Sequence, residues 1–171
     1  EGGYKVSGGL HGVGASVVNA LSERLTVQVS REGKLYEQTF HRGIVGEMLK
    51  EIGTSDHNGS KVIFKADAEI FQETQEYELE ILRNRIQQLA FLNKGISLSI
   101  KDKRVEPIVE NFYFYEGGIK EYVDFLNTGK KLVAPKIMYC EGEKDNIQVE
   151  VALQYNDTYT GLIYSFTNNI H

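Results

Sequence analysis

The residues best suited to chemistry form a glycine-rich segment, Tyr4–Gly14, with glycines at positions 8, 9, 12 and 14. Apolar residues from Val13 to Leu25 have the spacing of one helical face, so this segment leads directly into a predicted helix. Glycine permits positive φ angles and close approach of the backbone to a ligand. The first N–H groups of a helix lack intrahelical partners and carry the positive end of its dipole. The junction at Gly12–Ser16 therefore suits a phosphate group.

Two well-known phosphate-binding patterns do not match this segment. A Walker A loop requires lysine after its second glycine, whereas Gly14, five positions after Gly9, is followed by alanine. A dinucleotide fingerprint requires a third glycine where this chain has Val17, and it requires a preceding βα unit. On the residues alone, a flexible glycine hinge before an ordinary helix remains an open alternative.

The other reactive side chains do not group in the sequence. No spacing typical of a zinc or other metal site occurs among the histidines and the single cysteine, which are His11, His41, His57, His171 and Cys140. Ser16 has no histidine and carboxylate pattern that would make it a nucleophile. The sequence therefore predicts no metal site and gives no support for Ser16 as a nucleophile.

Composition limits the class of protein. The 171 residues include 41% hydrophobic and 25% charged residues, which is typical of a globular domain. No apolar run approaches the roughly 20 residues of a membrane-spanning helix. The net charge of −5 gives no overall cationic field for DNA, so any contact with nucleic acid must be local or made elsewhere. A single cysteine is typical of a reducing compartment, and we predict a cytoplasmic protein without membrane contact.

Periodicity predicts helices and hairpins in mixed order. Alternating apolar residues predict a hairpin over residues 25–41, followed by a loop over 42–59 and a strand over 60–65. Helical spacing predicts helices over 73–93 and 117–127. Strands are predicted over 96–101 and 112–115 as an antiparallel pair, and the pattern beyond residue 131 is entirely that of strands. This order predicts an α+β fold, a mixed sheet with helices on one face. A polar break at 127–131 places a domain boundary near Lys131–Pro135.

Several short motifs carry a resemblance to one family. Together they resemble the ATP lid and adjoining segments of the DNA gyrase B family, the ATPase subunits of bacterial type IIA DNA topoisomerases. The matching segments are Tyr4–Gly14, Ser16–Leu21, Arg31–Lys34, Asn58–Ser60, Ala90–Asn93, Asp102–Arg104, Tyr115–Ile119, Val149–Ala152 and Phe166–Ile170. The resemblance implies the ATPase fold shared by gyrase, a heat-shock chaperone, histidine kinases and mismatch-repair proteins. It further implies that residues 1–134 are the second half of that domain, and that 135–171 begin a transducer domain.

The resemblance also implies roles for individual residues. The backbone of the lid would hold the triphosphate through Gly9, Leu10, His11, Gly12, Val13 and Gly14. Lys5 would add positive charge near the phosphates, and Tyr4 would lie beside the sugar or base. Ser60 stands where the family usually has threonine, and its hydroxyl would help to hold adenine through water. Arg31 matches an arginine that aminocoumarin inhibitors contact, a role that suits its bidentate guanidinium.

The resemblance implies a larger enzyme with ATP, magnesium, double-stranded DNA and gyrase A as partners, assembled as A2B2, with gyrase B dimerising on ATP binding. The general-base glutamate, the magnesium-binding asparagine and the adenine-reading aspartate of the family precede the lid, and a lysine for the γ-phosphate follows this sequence. We therefore expect the 171 residues alone not to hydrolyse ATP. Two alternatives stay open, which are the ATPase subunit of topoisomerase IV and a non-catalytic protein-interaction module.

Overall fold

The computed structural model describes residues 12–171, and the chain divides into two units. The first unit extends to Glu76, and the second is Tyr77–His171. Helices and sheets together confirm the predicted α+β class. The strands of residues 12–171 form three separate antiparallel sheets, however, and not one mixed sheet. In chain order the elements are α1 (Gly14–Ala20), β1 (Ser22–Arg31), β2 (Lys34–His41), β3 (Ile44–Thr54), β4 (Gly59–Ala66), α2 (Leu79–Leu92), β5 (Leu98–Asp102), β6 (Val109–Tyr113), α3 (Ile119–Leu126), β7 (Met138–Lys144) and β8 (Ile147–Leu153).

The first unit is an antiparallel sheet in the order β3-β2-β1-β4. The predicted hairpin is confirmed, because β1 pairs with β2 from Leu25 opposite Phe40 onward. Its turn contains Glu32 at φ 53° and Gly33 at φ 80°. Two successive positive φ angles give the turn that matches the twist of the flanking strands. The predicted strand at 60–65 is also confirmed, since β4 pairs with the other edge of β1.

The predicted loop over residues 42–59 is wrong, because most of it forms β3. Two physical causes explain why the sequence does not indicate this strand. Its pairing with β2 contains three register shifts, each of which interrupts the alternation of the two faces. Every residue of β3 is also exposed, so neither face selects apolar side chains. Arg42 at φ 49° and Gly43 at φ 82° form the turn that enters it.

The predicted helices are confirmed, but all three are shorter than expected, α3 by only three residues. The first was expected over 13–25, yet α1 ends at Ala20 and Ser22 already belongs to β1. Leu21 and Leu25 fit both a helical and an alternating pattern, so spacing alone does not place this end. The helix expected from residue 73 begins at Leu79, because the preceding residues are polar and Glu78 has extended backbone angles.

An aromatic cluster forms the core of the second unit. The Phe91 ring on α2 lies 3.6 Å from the Tyr115 ring and 4.9 Å from the Tyr122 ring, measured between centroids. Phe125 on α3 completes the group at 5.3 Å from Phe91. The predicted antiparallel pairing of 96–101 with the segment near 112 is confirmed as β5 with β6, although β6 starts earlier, at Val109.

The final part of the chain contains one regular hairpin, β7–β8. Its turn consists of Asp145 and Asn146, both with positive φ. The expectation that strands continue to the last residue is wrong, since residues 154–171 contain only isolated bridges among the described residues. The boundary proposed between residues 134 and 135 stays a prediction. In the range 12–171, no helix is long and apolar enough to cross a membrane.

Candidate nucleotide-binding site

The described part of the glycine segment is the turn that starts α1. Gly12 has φ +65°, a conformation that side-chain-bearing residues rarely adopt, and α1 begins two residues later at Gly14. Among residues 12–171, no side chain caps the helix start at Val13. The free N–H groups of the first helical turn therefore remain available to an external acceptor. Gly12, Val13 and Gly14 are all exposed, so a ligand could reach this backbone.

Five of the predicted phosphate-site residues lie outside the described residues. They are Tyr4, Lys5, Gly9, Leu10 and His11. Their proposed roles therefore stay predictions. The remaining members of the predicted lid, Gly12, Val13 and Gly14, are contiguous and lead into the predicted helix.

The sheet of the first unit carries the other two predicted residues on one face. Ser60 on β4 lies directly opposite Val29 on β1. Arg31 follows Val29 by two residues, and alternate residues of a strand point to the same side. Ser60 and Arg31 therefore share a face, together with the apolar Val62. A hydroxyl, a guanidinium and an apolar surface are groups that suit a heteroaromatic ligand with polar edges.

Arg31 remains accessible although it forms an ion pair with Glu32. Its Nε lies 3.1 Å from a carboxylate oxygen of Glu32, and both side chains are largely exposed. Exposed pairs of this kind contribute only about 0–1 kcal/mol. The guanidinium of Arg31 can thus exchange Glu32 for a ligand at little cost.

Sequence reasoning missed a polar cluster near the other end of α1. The Asp67 carboxylate is 3% exposed and receives the Arg42 guanidinium at 2.6 Å. A second contact of 2.6 Å joins Arg42 to Glu69. The backbone N–H of Glu69 and the nearby Arg42 hold the pKa of Asp67 below its ordinary value. Arg42 and Asp67 are 25 residues apart in the chain, so no short motif could have revealed their pairing.

The described residues of the candidate site supply groups that bind ligands. Over residues 12–171, no three histidine, cysteine, aspartate or glutamate side chains are grouped so as to hold a metal ion. The donors that are present, backbone N–H groups, a hydroxyl and a guanidinium, bind and orient anionic or polar groups. The arrangement therefore fits the binding of an anionic or polar ligand.

A separate cavity of about 370 Å³ lies within the second unit. It is lined by α2, α3 and Tyr164. Two of its polar side chains already have partners, since Gln88 donates to the Tyr122 hydroxyl at 3.2 Å and Arg85 donates to the Asn169 carbonyl at 2.6 Å. None of the residues that the sequence singled out as site residues lines this cavity.

The fold, with a glycine turn that leads into a helix beside an antiparallel sheet, is similar to a solved ATPase domain. The 43K ATPase domain of Thermus thermophilus gyrase B, solved in complex with an aminocoumarin, superposes with a TM-score of 0.76 at 34% identity. The match covers 88% of this chain and 41% of that one. Because the sequence identity is substantial, the match supports relationship as well as fold.

Sequence comparison leads to the same family. The DNA gyrase B protein of Bacillus mycoides is 56% identical over 99% of this chain, and that of Staphylococcus aureus is 52% identical over 99%. The DNA gyrase B family model matches residues 118–171. The chain belongs to the DNA gyrase B family, which confirms the resemblance. It spans 42% of the length of the Bacillus mycoides relative and 27% of the Staphylococcus aureus relative.

Proposed function

We propose that this chain forms part of the ATP-binding subunit of a DNA gyrase. In the complete enzyme, ATP binding and hydrolysis would be coupled to DNA strand passage and negative supercoiling. The observation that carries the proposal is the exposed positive-φ turn at Gly12, which enters an uncapped helix in a chain 56% identical to a gyrase B protein. This combination favours the ATPase interpretation over a non-catalytic interaction module with a glycine hinge.

The proposed roles follow from the chemistry of each group. Backbone N–H groups from Gly9 to Gly14 hold the triphosphate, because aligned amides at a helix start stabilise anions. Lys5 adds a positive charge there, and Tyr4 lies beside the sugar or base. The Ser60 hydroxyl helps to hold adenine, and Arg31 on the same sheet face offers a bidentate donor to an inhibitor such as an aminocoumarin.

The remaining requirements belong to the longer protein. ATP hydrolysis needs a general base, and magnesium needs oxygen ligands. The family resemblance places the magnesium ligand and the general base before the lid, so we place both in other parts of the gyrase B protein. Accordingly, the 171 residues alone should not hydrolyse ATP. A transducer domain beginning at residue 135 would pass the nucleotide state toward the DNA.

We further propose the assembly that this family implies. Two copies of gyrase B would join two copies of gyrase A, dimerise on ATP binding and act on double-stranded DNA in the cytoplasm. The relatives reported above are named gyrase, which favours this assignment over topoisomerase IV. Reconstitution with the partner protein separates the two, because a gyrase introduces negative supercoils whereas topoisomerase IV only decatenates.

The direct test is Gly12→Ala in the full-length protein. A β-carbon at φ +65° would strain the backbone and move the N–H groups away from the phosphates, so we expect nucleotide affinity to fall at least tenfold, about 1.4 kcal/mol. Titration calorimetry with a non-hydrolysable ATP analogue measures this.

The matched control is Gly129→Ala, at another positive-φ glycine with open space around it. It imposes similar backbone strain outside the proposed site, and it should leave affinity unchanged. Equal affinity in the Gly12 variant and the unaltered protein would remove the assignment of this turn to the phosphates. Protection of residues 8–14 from proteolysis by the analogue is the expected supporting result, and its absence would favour the interaction module.

A further inference from the structure

The C-terminal end of α1 is held by hydrogen bonds from distant parts of the first unit. The Asp67 N–H donates to the Leu21 carbonyl at 3.0 Å, and the Arg42 N–H donates to the Ser22 carbonyl at 2.9 Å. The buried Ser22 hydroxyl also donates back into the helix, to the Val18 carbonyl at 2.6 Å. The chain where α1 passes into β1 is therefore held by two segments that lie far apart in the sequence.

The same two segments are joined through their side chains. Arg42 contacts both Asp67 and Glu69, and Glu69 donates its N–H to Asp67 at 3.0 Å. A carboxylate as buried as that of Asp67 is costly to leave without a positive partner. The ion cluster Arg42–Asp67–Glu69 thus connects the turn before β3 with the end of β4.

Close packing adds a third restraint. A β-carbon on Gly43, the residue after Arg42, would lie 3.4 Å from the Cα atom of Ala20. The turn therefore lies directly against the last residue of the helix. A shift of this turn, such as the loss of the ion cluster would cause, has to displace α1.

A displacement at this end must reach the other end of the helix. The seven residues of α1 make a rod about 10 Å long, at a rise of about 1.5 Å per residue. A tilt of about 10° at one end of such a rod moves the other end by about 2 Å. The other end carries Gly12–Gly14, and misplacement of about 1 Å at a binding or catalytic centre can cost up to about a hundredfold.

We propose that Arg42 and Asp67 are positioning residues for the nucleotide site, which fix the direction of α1 and hence the phosphate-binding turn at its start. The proposal rests on the proposed function of that turn. Neither side chain acts on the nucleotide itself. Their effect is on the free energy of holding the N–H groups where the phosphates need them.

The test uses Arg42→Met and Arg42→Lys in the full-length protein, with affinity for a non-hydrolysable ATP analogue as the main readout. We expect Arg42→Met to weaken binding about tenfold, because the carboxylates of Asp67 and Glu69 lose their shared partner. Lysine keeps the charge but pairs with one carboxylate at a time, so Arg42→Lys should recover most of the affinity. In the assembled enzyme, KM for ATP should rise while kcat changes less than about twofold.

The matched control is Lys65→Met. Lys65 lies two residues before Asp67 and forms an exposed ion pair with Glu23 at 2.8 Å, so its loss removes a charge from the same part of the sheet. Lys65 is not part of the ion cluster, and this variant should bind the analogue as the unaltered protein does. A tenfold loss in Lys65→Met as well would overturn the proposal, since the effect would then be one of general charge.

The outcomes separate this inference from the proposed function. If the unaltered full-length protein does not bind the analogue, the proposed function fails. If the unaltered protein binds the analogue and both Arg42 variants bind it with the same affinity as the unaltered protein, the positioning role is wrong and the proposed function stands. Hydrogen exchange across β1 and β2 establishes whether Arg42→Met is folded. If it is unfolded, the affinity of Asp67→Asn decides, because the amide keeps the size of the Asp67 side chain and removes its charge. Affinity equal to that of the unaltered protein in Asp67→Asn would then overturn the positioning role.

Discussion

Different interactions stabilise the interiors of the two units of this chain. In the second unit, α2 and α3 enclose stacked aromatic rings, and Phe91 is 1% exposed. Among the described residues of the first unit, Leu25 is the one buried apolar residue, and the other buried side chains are polar. We infer that the first unit depends on its backbone ladder and polar contacts, whereas the second depends on burial of apolar surface.

This difference has a functional counterpart. Polar contacts and hydrogen bonds are directional, so they fix the angle of an element such as α1 more narrowly than apolar contact does. Aromatic packing is less directional and tolerates small rotations of the packed elements. The unit that carries the proposed phosphate-binding turn is thus the one built from directional contacts.

The largest effect that tests this difference between the two units is expected from Phe91→Ala. Loss of a buried ring stacked on two others should destabilise the second unit by about 3–5 kcal/mol. Hydrogen exchange on α2 peptides of the full-length protein measures this locally. Phe112→Ala is the control, because its ring is 65% exposed and its loss should cost less than about 0.5 kcal/mol. Equal protection of α2 in both variants would mean that the aromatic cluster does not hold this unit.

A smaller effect is expected from Leu25→Ala in the first unit. Truncating a buried leucine with few buried apolar neighbours should cost about 2 kcal/mol, near the lower end for such changes. Hydrogen exchange on β1 and β2 is the measurement, and the exposed Leu49→Ala serves as its control. A loss as large as that of Phe91→Ala would show that apolar burial governs both units, contrary to the distinction drawn here.

The smallest expected effect is on the pH dependence of stability in acid, through the buried Asp102. The Arg104 side chain and then its backbone N–H hold the pKa of Asp102 at about 2. Its ordinary value is about 3.9, so the folded state favours the ionised form. The stabilisation is fully present above about pH 4 and is lost as pH falls toward about 2. Asp102→Asn should flatten the pH dependence of α2 and β5 protection in that window. If the slope of protection against pH is unchanged in Asp102→Asn, the stabilising role of the Asp102 charge is wrong.

Asp67 in the first unit can be compared with Asp102 in the second. Asp67 is also buried and paired with arginine, and its pKa is also lowered. Loss of charge at Asp67 should disturb the end of α1, whereas loss at Asp102 should affect only the second unit. Exchange on the peptides of α1 and β5 in the two asparagine variants distinguishes them.

Local patterns predicted much of the secondary structure. The alternation at Leu25, Val27 and Val29 predicted β1, and the regular spacing of leucine and isoleucine residues predicted α2. No residue of β1 from Leu25 to Ser30 is exposed, and α2 buries Ala90 and Phe91, so burial selects apolar residues in both elements. The strand β3 escaped prediction because it is exposed throughout and bulged against β2, which removes the periodic signal.

The sequence by itself determined the family, the glycine turn and the residue types available to a phosphate. These are properties of contiguous residues, since positive φ at Gly12 and a free helix start need only local chain. Only the tertiary structure decided that Ser60 and Arg31 share a sheet face and that Arg42 reaches Asp67. Such contacts join residues far apart in the chain, and they depend on strand register and turn geometry, which no local pattern encodes.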